Sequence, residues 1–328
     1  MKCEIIAEIA QGYEGNPKLA ELLVRGAIAT NADAVKIQLV LADELCVPTY
    51  PYYDFFKSLE MGESVWNDLV QRVHDAGKKI YFDVYGSGSL ALARNLGADG
   101  IKISTTDFYN LPLIKQAFND FDTVFVSTGG VPVEDIDQLL ELRPRPKYLT
   151  LMHGFQAEPT ETADNNLARI ETMRARYSDV GVGFMDHSVG SQDDSISLPL
   201  IALGLGATCI EKHITLDYSL QIEDYISALS IDRFGEFVRL FRSLEPALGS
   251  PDLTLTDKEI AYKQRAGKVV VASNDLPKGT VLGENHLAMK RVSTTPLVGH
   301  YHRVDLLIGK TLGASVAVDG PINTGMIQ

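Results

Sequence analysis

Cysteine is scarce in this chain of 328 residues, where Cys3, Cys46 and Cys209 are the only three. They are too scattered for a disulfide framework or a thiolate zinc site. Long apolar runs are missing as well. The longest candidate, Leu198 to Ile210, is broken by Pro199, Gly204 and Gly206 and falls short of a membrane span. Glu4 and Glu8 interrupt the basic-then-apolar layout of a signal peptide, so the expected location is the cytoplasm. No block is rich in lysine or arginine, and 43 acidic against 30 basic residues leave a net charge of −13. Neither a nucleic acid nor a membrane is expected as a partner, because nothing gathers the positive field that either requires. A small anionic substrate remains compatible, since a few buried cations can hold one. The hydrophobic share of 45% and charged share of 22% exclude a mostly disordered chain.

What is present is alternation. Short β-branched or aliphatic runs occur at Cys3–Ile9, Asp33–Leu39, Lys79–Val84, Gly100–Ser104, Thr123–Ser127, Lys147–Met152, Val180–Phe184 and Thr208–Ile214. Helical periodicity fills Lys18–Thr30, Glu63–Ala76, Leu111–Phe118, Val133–Leu142, Asn166–Tyr177, Ile196–Gly204 and Asp232–Leu248. Strands and helices alternating eight times predict an α/β fold of the (β/α)8, or TIM, barrel type. An open doubly wound sheet is the second choice, but no glycine fingerprint follows the first strand. Glycines instead precede strands, as in Ala76-Gly77-Lys78, Leu96-Gly97-Ala98 and Leu205-Gly206-Ala207, the pattern of helix C-caps. The expected barrel domain is 1–248. A linker, 249–266, opens with Gly249-Ser250-Pro251-Asp252 and holds a capping box, Thr256 to Glu259, that starts a short helix. From 267 to 328 the texture changes to short strands and Pro/Gly turns, a second domain small enough to need something to pack on.

Chemistry in such a barrel gathers at the C-terminal ends of the strands. Those ends carry Glu8, Lys36 and Gln38, Asp83, Lys102 with Thr105 and Asp107, Ser127 and Thr128, His153 and Gln156, Asp186 and His187, and Glu211 and His213. Polar groups on all eight strands predict a polar pocket. Alternation places Lys36 with Gln38, and Glu211 with His213, on one side of their strands. His187 and His213 end neighbouring strands, whose backbones run roughly 5 Å apart. Two imidazoles there can converge on one divalent cation, with Mn²⁺, Fe²⁺ or Co²⁺ suited to a site completed by oxygen. The alternative is a pair of hydrogen-bonded barrel histidines. Lys36 and Lys102, with the Ser127-Thr128-Gly129-Gly130 turn, suggest a site for a phosphorylated carboxylate.

Several stretches, in order, resemble the sialic acid (nonulosonate) synthases, which are phosphoenolpyruvate-dependent enzymes. They are Ala7-Glu8-Ile9, Lys36-Ile37-Gln38, Lys102-Ile103-Ser104, Ser127-Thr128-Gly129, Asp186-His187-Ser188 and Glu211-Lys212-His213-Ile214-Thr215-Leu216-Asp217. The tail from Val271 to Thr280 resembles the start of that family's antifreeze-like (SAF) domain. The resemblance implies condensation of phosphoenolpyruvate with an N-acetylated amino hexose, giving a nonulosonate and phosphate. It implies that Lys102, Thr105, Ser127 and Gln156 hold phosphoenolpyruvate and that His187 and His213 bind Mn²⁺. Glu8, Gln38, Asp107 and Asp224 would contact the acceptor, Lys36 would sit beside the reacting centre, and Glu8 is the candidate proton acceptor. Arg291 would reach the acceptor from the C-terminal domain of a partner subunit, since family members form domain-swapped homodimers.

The chain departs from the family pattern mostly on the acceptor side. Gly12-Tyr13 replace Asn-His, Met185 replaces a serine, and the sixth-strand motif reads His153-Gly154-Phe155-Gln156-Ala157-Glu158-Pro159 where the family has Cys, Thr or Ser, and Tyr-Pro. Downstream, Ile222-Glu223-Asp224-Tyr225 stands for Gly-x-Asp-His. The expected acceptor is therefore N-acetylmannosamine or a modified hexose of the 2,4-diacetamido or legionaminic type. Two other readings compete: a catalytically silent sugar-binding paralogue, and a class-I aldolase with Lys36 or Lys102 as the Schiff base.

Overall fold

Each apolar run of the barrel region forms a strand in the computed structural model, which describes residues 2–155, 157–293 and 297–328. The strands are β1 (Glu4–Glu8), β2 (Ala34–Gln38), β3 (Lys79–Val84), β4 (Gly100–Ile103), β5 (Thr123–Ser127), β6 (Tyr148–His153), β7 (Gly181–Asp186) and β8 (Cys209–Thr215). All pair in parallel in sequence order, and β1 also pairs with β8, opposing Glu8 to His213. That last pairing closes the sheet and removes its edges, which excludes the open doubly wound arrangement.

Helices return the chain on the outside: α1 (Pro17–Ala29), α2 (Ala42–Leu45), α3 (Tyr53–Ser58), α4 (Glu63–Asp75), α5 (Ser87–Asn95), α6 (Leu111–Asp120), α7 (Val133–Glu141), α8 (Ala168–Arg176) and α9 (Asp194–Gly204). A two-residue strand, β9 (Leu229–Ser230), then pairs with β8 and leads into α10 (Ile231–Leu244). Their boundaries have local causes. Asn16 caps α1 by accepting from the Lys18 and Leu19 amides, with Pro17 at the first helical position. Gly77, Gly97 and Gly206 adopt φ of 68°, 77° and 90° just past α4, α5 and α9, where the left-handed conformation stops a helix.

Alternation along the strands sorts the core into two layers. Between barrel and helices lie Ile5, Val35, Ile37, Phe82, Val126, Leu151 and Phe184, among many others. Inside the barrel, Ile6, Ala34, Tyr81, Phe125, Met152, Met185 and Cys209 form an apolar plug. Gly183 belongs to the inward set, and a Cβ there would fall 2.4 Å from Cys209 Sγ and 2.5 Å from Met152 Sδ. Only glycine leaves room for those sulfur-bearing side chains. One inward step above the plug come Glu8, Lys36, Asp83, Ser127, His187 and Glu211, each two residues beyond a plug residue. The plug thus confines polar chemistry to the mouth.

The chain divides after Gly249 into a second compact unit, Ser250–Gln328. It contains α11 (Asp257–Ala266) and an antiparallel pair, β10 (Val269–Ala272) with β11 (Leu287–Lys290). The Thr256 hydroxyl accepts from the Glu259 amide at 3.3 Å while the Glu259 carboxylate accepts from the Thr256 amide at 2.7 Å, completing the capping box. Val270, Ala272, Leu276, Leu282, Leu307, Leu312 and Ile322 form a core of its own. Among the described residues no helix is long and apolar enough to cross a membrane.

Candidate active site

Lys36 is the centre of the mouth. Fully buried on β2, its ammonium lies 2.6 Å from Glu8, 2.5 Å from Asp83 and 3.7 Å from Glu211. Lys102, inward on β4, donates to Glu211 Oε1 at 2.5 Å. Burial alone would lower the pKa of Lys36, but the charges of Asp83, Glu211 and Glu8 outweigh it and hold the ammonium above the ordinary lysine range. Burial likewise pushes Glu211 up, and Lys102 and Lys36 bring it below its usual value. Glu8 goes the other way. Burial raises its carboxyl to about 8, against the opposing pull of Lys36. Among the described residues, both Glu8 oxygens, Asp83 Oδ1 and Glu211 Oε2 have no hydrogen-bond partner. These groups are therefore in charge contact with acceptor capacity to spare, which is costly in a buried site unless a ligand uses it.

The two histidines sit beside this cluster. Their ring centroids are 5.1 Å apart, with the planes inclined at 54°. Burial, then the Lys102 charge, lowers His187 to about 4, and burial with the neighbouring His187 lowers His213 well below its usual value. Neutral imidazoles are the ligating form, and Nδ1 of each ring is buried without a partner among the described residues. On the far side, Asp224 Oδ2 lies 3.9 Å from His213 Nδ1. Burial first, then the adjoining Glu158 carboxyl, raises Asp224 to about 8. Glu158, His213 and Asp224 each offer one atom within 4.8 Å of the other two. Such nitrogen and oxygen donors fit Mn²⁺, Fe²⁺ or Co²⁺.

A cavity of about 120 Å³ connects these groups. Of the residues expected from sequence, Glu8, Lys36, Gln38, Lys102, His187, His213 and Asp224 line it. Gln38 is anchored there by donation from Gln11 Nε2 and the Tyr85 hydroxyl, each at 2.8 Å. Thr105, Asp107 and Ser127 are not among its lining residues. The Asp107 carboxylate instead accepts from Thr106 at 3.1 Å and Asn110 at 3.2 Å, and the Ser127 hydroxyl faces Met185 Sδ at 3.2 Å. Thr105 Oγ1 is buried without a partner. Gln156 lies outside the described residues. Arg291 belongs to the second unit, where its Nε donates to the Ala266 carbonyl at 3.0 Å. His153 and Asp186 end their strands on the outward side: the first contacts the Asn165 carbonyl at 2.8 Å, and the second pairs with buried Lys212 at 2.9 Å.

From sequence, Asp83 and Glu211 counted only as polar strand ends, Glu158 only as an acceptor-side departure, and Ser104 had no separate role; all four line the cavity. The signal for Glu211 was its two-residue spacing from His213, and Asp83 and Ser104 share the inward parity of Tyr81 and Lys102. Glu158 follows an irregular loop, where parity says nothing.

The sequence matches the NeuB family over residues 23–252 and the SAF domain over 267–328. This chain belongs to the NeuB family. Among relatives, it is 26% identical to the N,N'-diacetyllegionaminic acid synthase of Legionella pneumophila, over 95% of this chain and 94% of that one. It is 27% identical to the N-acetylneuraminate-9-phosphate synthase of Homo sapiens, over 88% and 83%. A crystal structure of a putative spore coat polysaccharide biosynthesis protein E from Chromobacterium violaceum superposes with a TM-score of 0.81 over the full length of both chains, at 22% identity. NeuB relatives are thus nonulosonate synthases, while the low identity of that structure speaks to the fold alone.

Proposed function

We propose that this NeuB-family chain condenses phosphoenolpyruvate with the open-chain aldehyde of an N-acetylated amino hexose, N-acetylmannosamine or a modified relative, to give a nonulosonate and phosphate. The observation that carries this reading is the meeting of two buried lysines and two unpartnered histidines at one closed mouth. Lys36 and Lys102 would balance the phosphate and carboxylate of phosphoenolpyruvate, displacing part of their present carboxylate contacts. Thr105, Ser127 and Gln156 would add hydrogen bonds to that substrate, and Gln38, Asp107 and Asp224 would orient the acceptor. His187 and His213 would hold a divalent cation, best Mn²⁺, which would supply Lewis acidity toward an aldehyde oxygen. In the reaction, C3 of phosphoenolpyruvate bonds to the aldehyde carbon, whose oxygen takes up a proton. Water then adds at C2 and loses one proton; the bond from C2 to the bridging oxygen breaks with its electron pair on that oxygen, the C2 hydroxyl becomes the ketone, and its proton leaves with phosphate. With its carboxyl raised to about 8, Glu8 can give the first proton and accept the second near neutrality.

Phosphate release from phosphoenolpyruvate with Mn²⁺ and a panel of amino hexoses, with product masses, tests this reading. A product heavier than its acceptor by pyruvate is expected. Absence of release with every acceptor favours the sugar-binding paralogue, a reading supported by the Met185 sulfur against Ser127 and by the carboxylates already on both lysines. The aldolase reading loses support at Lys36, because an imine requires a free amine and its carboxylate neighbours keep that group protonated. Arg291 and a domain-swapped homodimer enter as part of the same proposal. Arg291→Ala should raise the acceptor KM, whereas an unchanged KM removes Arg291 from the site.

A further inference from the structure

Beside its lysines the barrel mouth carries an oppositely charged wall. Glu158 and Asp224 line both the 120 Å³ cavity and an adjoining one of 260 Å³, whose wall includes Glu223 and, among the described residues, no lysine or arginine. His213 faces this wall with its side chain 7% exposed and its Nδ1 unpartnered among the described residues. The 3.9 Å between that nitrogen and Asp224 Oδ2 is too long for a hydrogen bond. It suits two ligands of one ion, because atoms each about 2.1 Å from a cation lie roughly 3 Å apart when adjacent and about 4 Å when opposite. One oxygen of Glu158 completes a trio within 4.8 Å.

The backbone holds this arrangement in place. Asp224 adopts φ of 62°, a left-handed conformation that aspartate tolerates and that neighbouring bonds help to hold. Two bonds do so: the Gly190 amide donates to the Ile226 carbonyl at 2.8 Å, and the Ser227 hydroxyl donates to the His187 carbonyl at 2.9 Å. The Asp224 loop is thereby fastened to the strand end that carries His187.

We propose that Glu158 and Asp224 join His213 in the coordination sphere of the divalent cation, making it a mixed imidazole–carboxylate site. The inference rests on the proposed function only for the presence of a cation, so binding is measured apart from turnover. Isothermal titration of Mn²⁺ alone into the full chain, with the electron paramagnetic resonance of free Mn²⁺ as a second readout, is the test. One Mn²⁺ per chain is expected. Glu158→Gln and Asp224→Asn should each weaken its binding at least about tenfold, and Glu223→Gln, on the same wall but outside the trio, should change it less than twofold. Native affinity in both Glu158→Gln and Asp224→Asn overturns the proposal. So does equal weakening by Glu223→Gln, which would indicate a diffuse acidic field. Both key substitutions keep side-chain shape, and asparagine tolerates the left-handed backbone, so circular dichroism melts of the metal-free variants should match the native chain. Weakened binding in the variants without phosphate release by the native chain would sink the reaction and leave the coordination standing. Turnover by the native chain with unaltered Mn²⁺ affinity in the variants would do the reverse.

Discussion

A single buried ammonium balances much of the negative charge at this barrel mouth. Removing it as Lys36→Met would leave Glu8, Asp83 and Glu211 with Lys102 as their remaining close cation, and breaking a buried pair by deleting one partner costs about 3–5 kcal/mol. Urea denaturation at pH 7 should show a loss of that order. A native-like midpoint would mean that the cluster already relaxes by taking up protons. Thiol chemistry provides a second check on burial. Cys3 and Cys209 are each 2% exposed, and burial pushes the Cys3 thiol up to about 12. Iodoacetamide at pH 8 should therefore modify Cys46 in the folded chain and reach Cys3 and Cys209 only after denaturation, as peptide mapping would report. Which residues share a strand side, though not which side faces inward, was legible from two-residue spacing, as for Lys36 with Gln38 and Glu211 with His213. Their partners were not. The contact of Lys102 with Glu211 joins strands β4 and β8 across the barrel, a distance in sequence that no local pattern encodes.

At the scale of elements, the periodic helices followed from sequence because their apolar faces and caps are local. Helix α5 was not expected. It starts with Ser87-Gly88-Ser89, weak helix formers, and its first amides are satisfied from outside. The Glu44 carboxylate accepts from the Gly88 amide at 2.5 Å and from the Ser89 amide at 2.9 Å. Glu44→Ala removes that cap and a favourable charge at the helix N-terminus, so a loss of about 1 kcal/mol is expected in urea denaturation; an unchanged midpoint would assign the start of α5 to packing alone. The loop after β7 makes a sharper case. A Cβ on Gly190 would fall 1.7 Å from the Ala228 carbonyl oxygen. Gly190→Ala must therefore shift the backbone that ties the His187 and Asp224 loops together. Destabilisation of about 1–3 kcal/mol is expected, with weaker Mn²⁺ binding, and native values of both would show that the loop yields freely.

For the whole molecule, the separation of apolar cores matters most. The barrel core and the core around Val270 and Leu312 are distinct clusters, and a residue break at 249/250 divides the chain. Calorimetry of the full chain should show two transitions, and a fragment of residues 1–249 should keep a cooperative melt and the Mn²⁺ affinity of the intact protein. A fragment without a cooperative melt contradicts the independence of the cores. Of the stretch 249–266, expected as a linker, residues 250–266 group with the second unit and carry α11, whose capping box was visible in Thr256 and Glu259 because that bond spans three residues.

Legible in the chain alone were the alternation of strands and helices, the barrel it implies, the shared strand side of Lys36 with Gln38 and of Glu211 with His213, and the lysines and histidines at the strand ends. These follow from local period and capping, which act over a few residues. Folding in three dimensions settled which strand side faces inward, that Asp83 and Glu211 pair with the lysines, that Asp107 turns to Thr106 and Asn110 and Ser127 to Met185, and that Glu158 comes within 4.8 Å of His213. Most of those outcomes join segments far apart in the chain, where geometry rather than local pattern sets the distance.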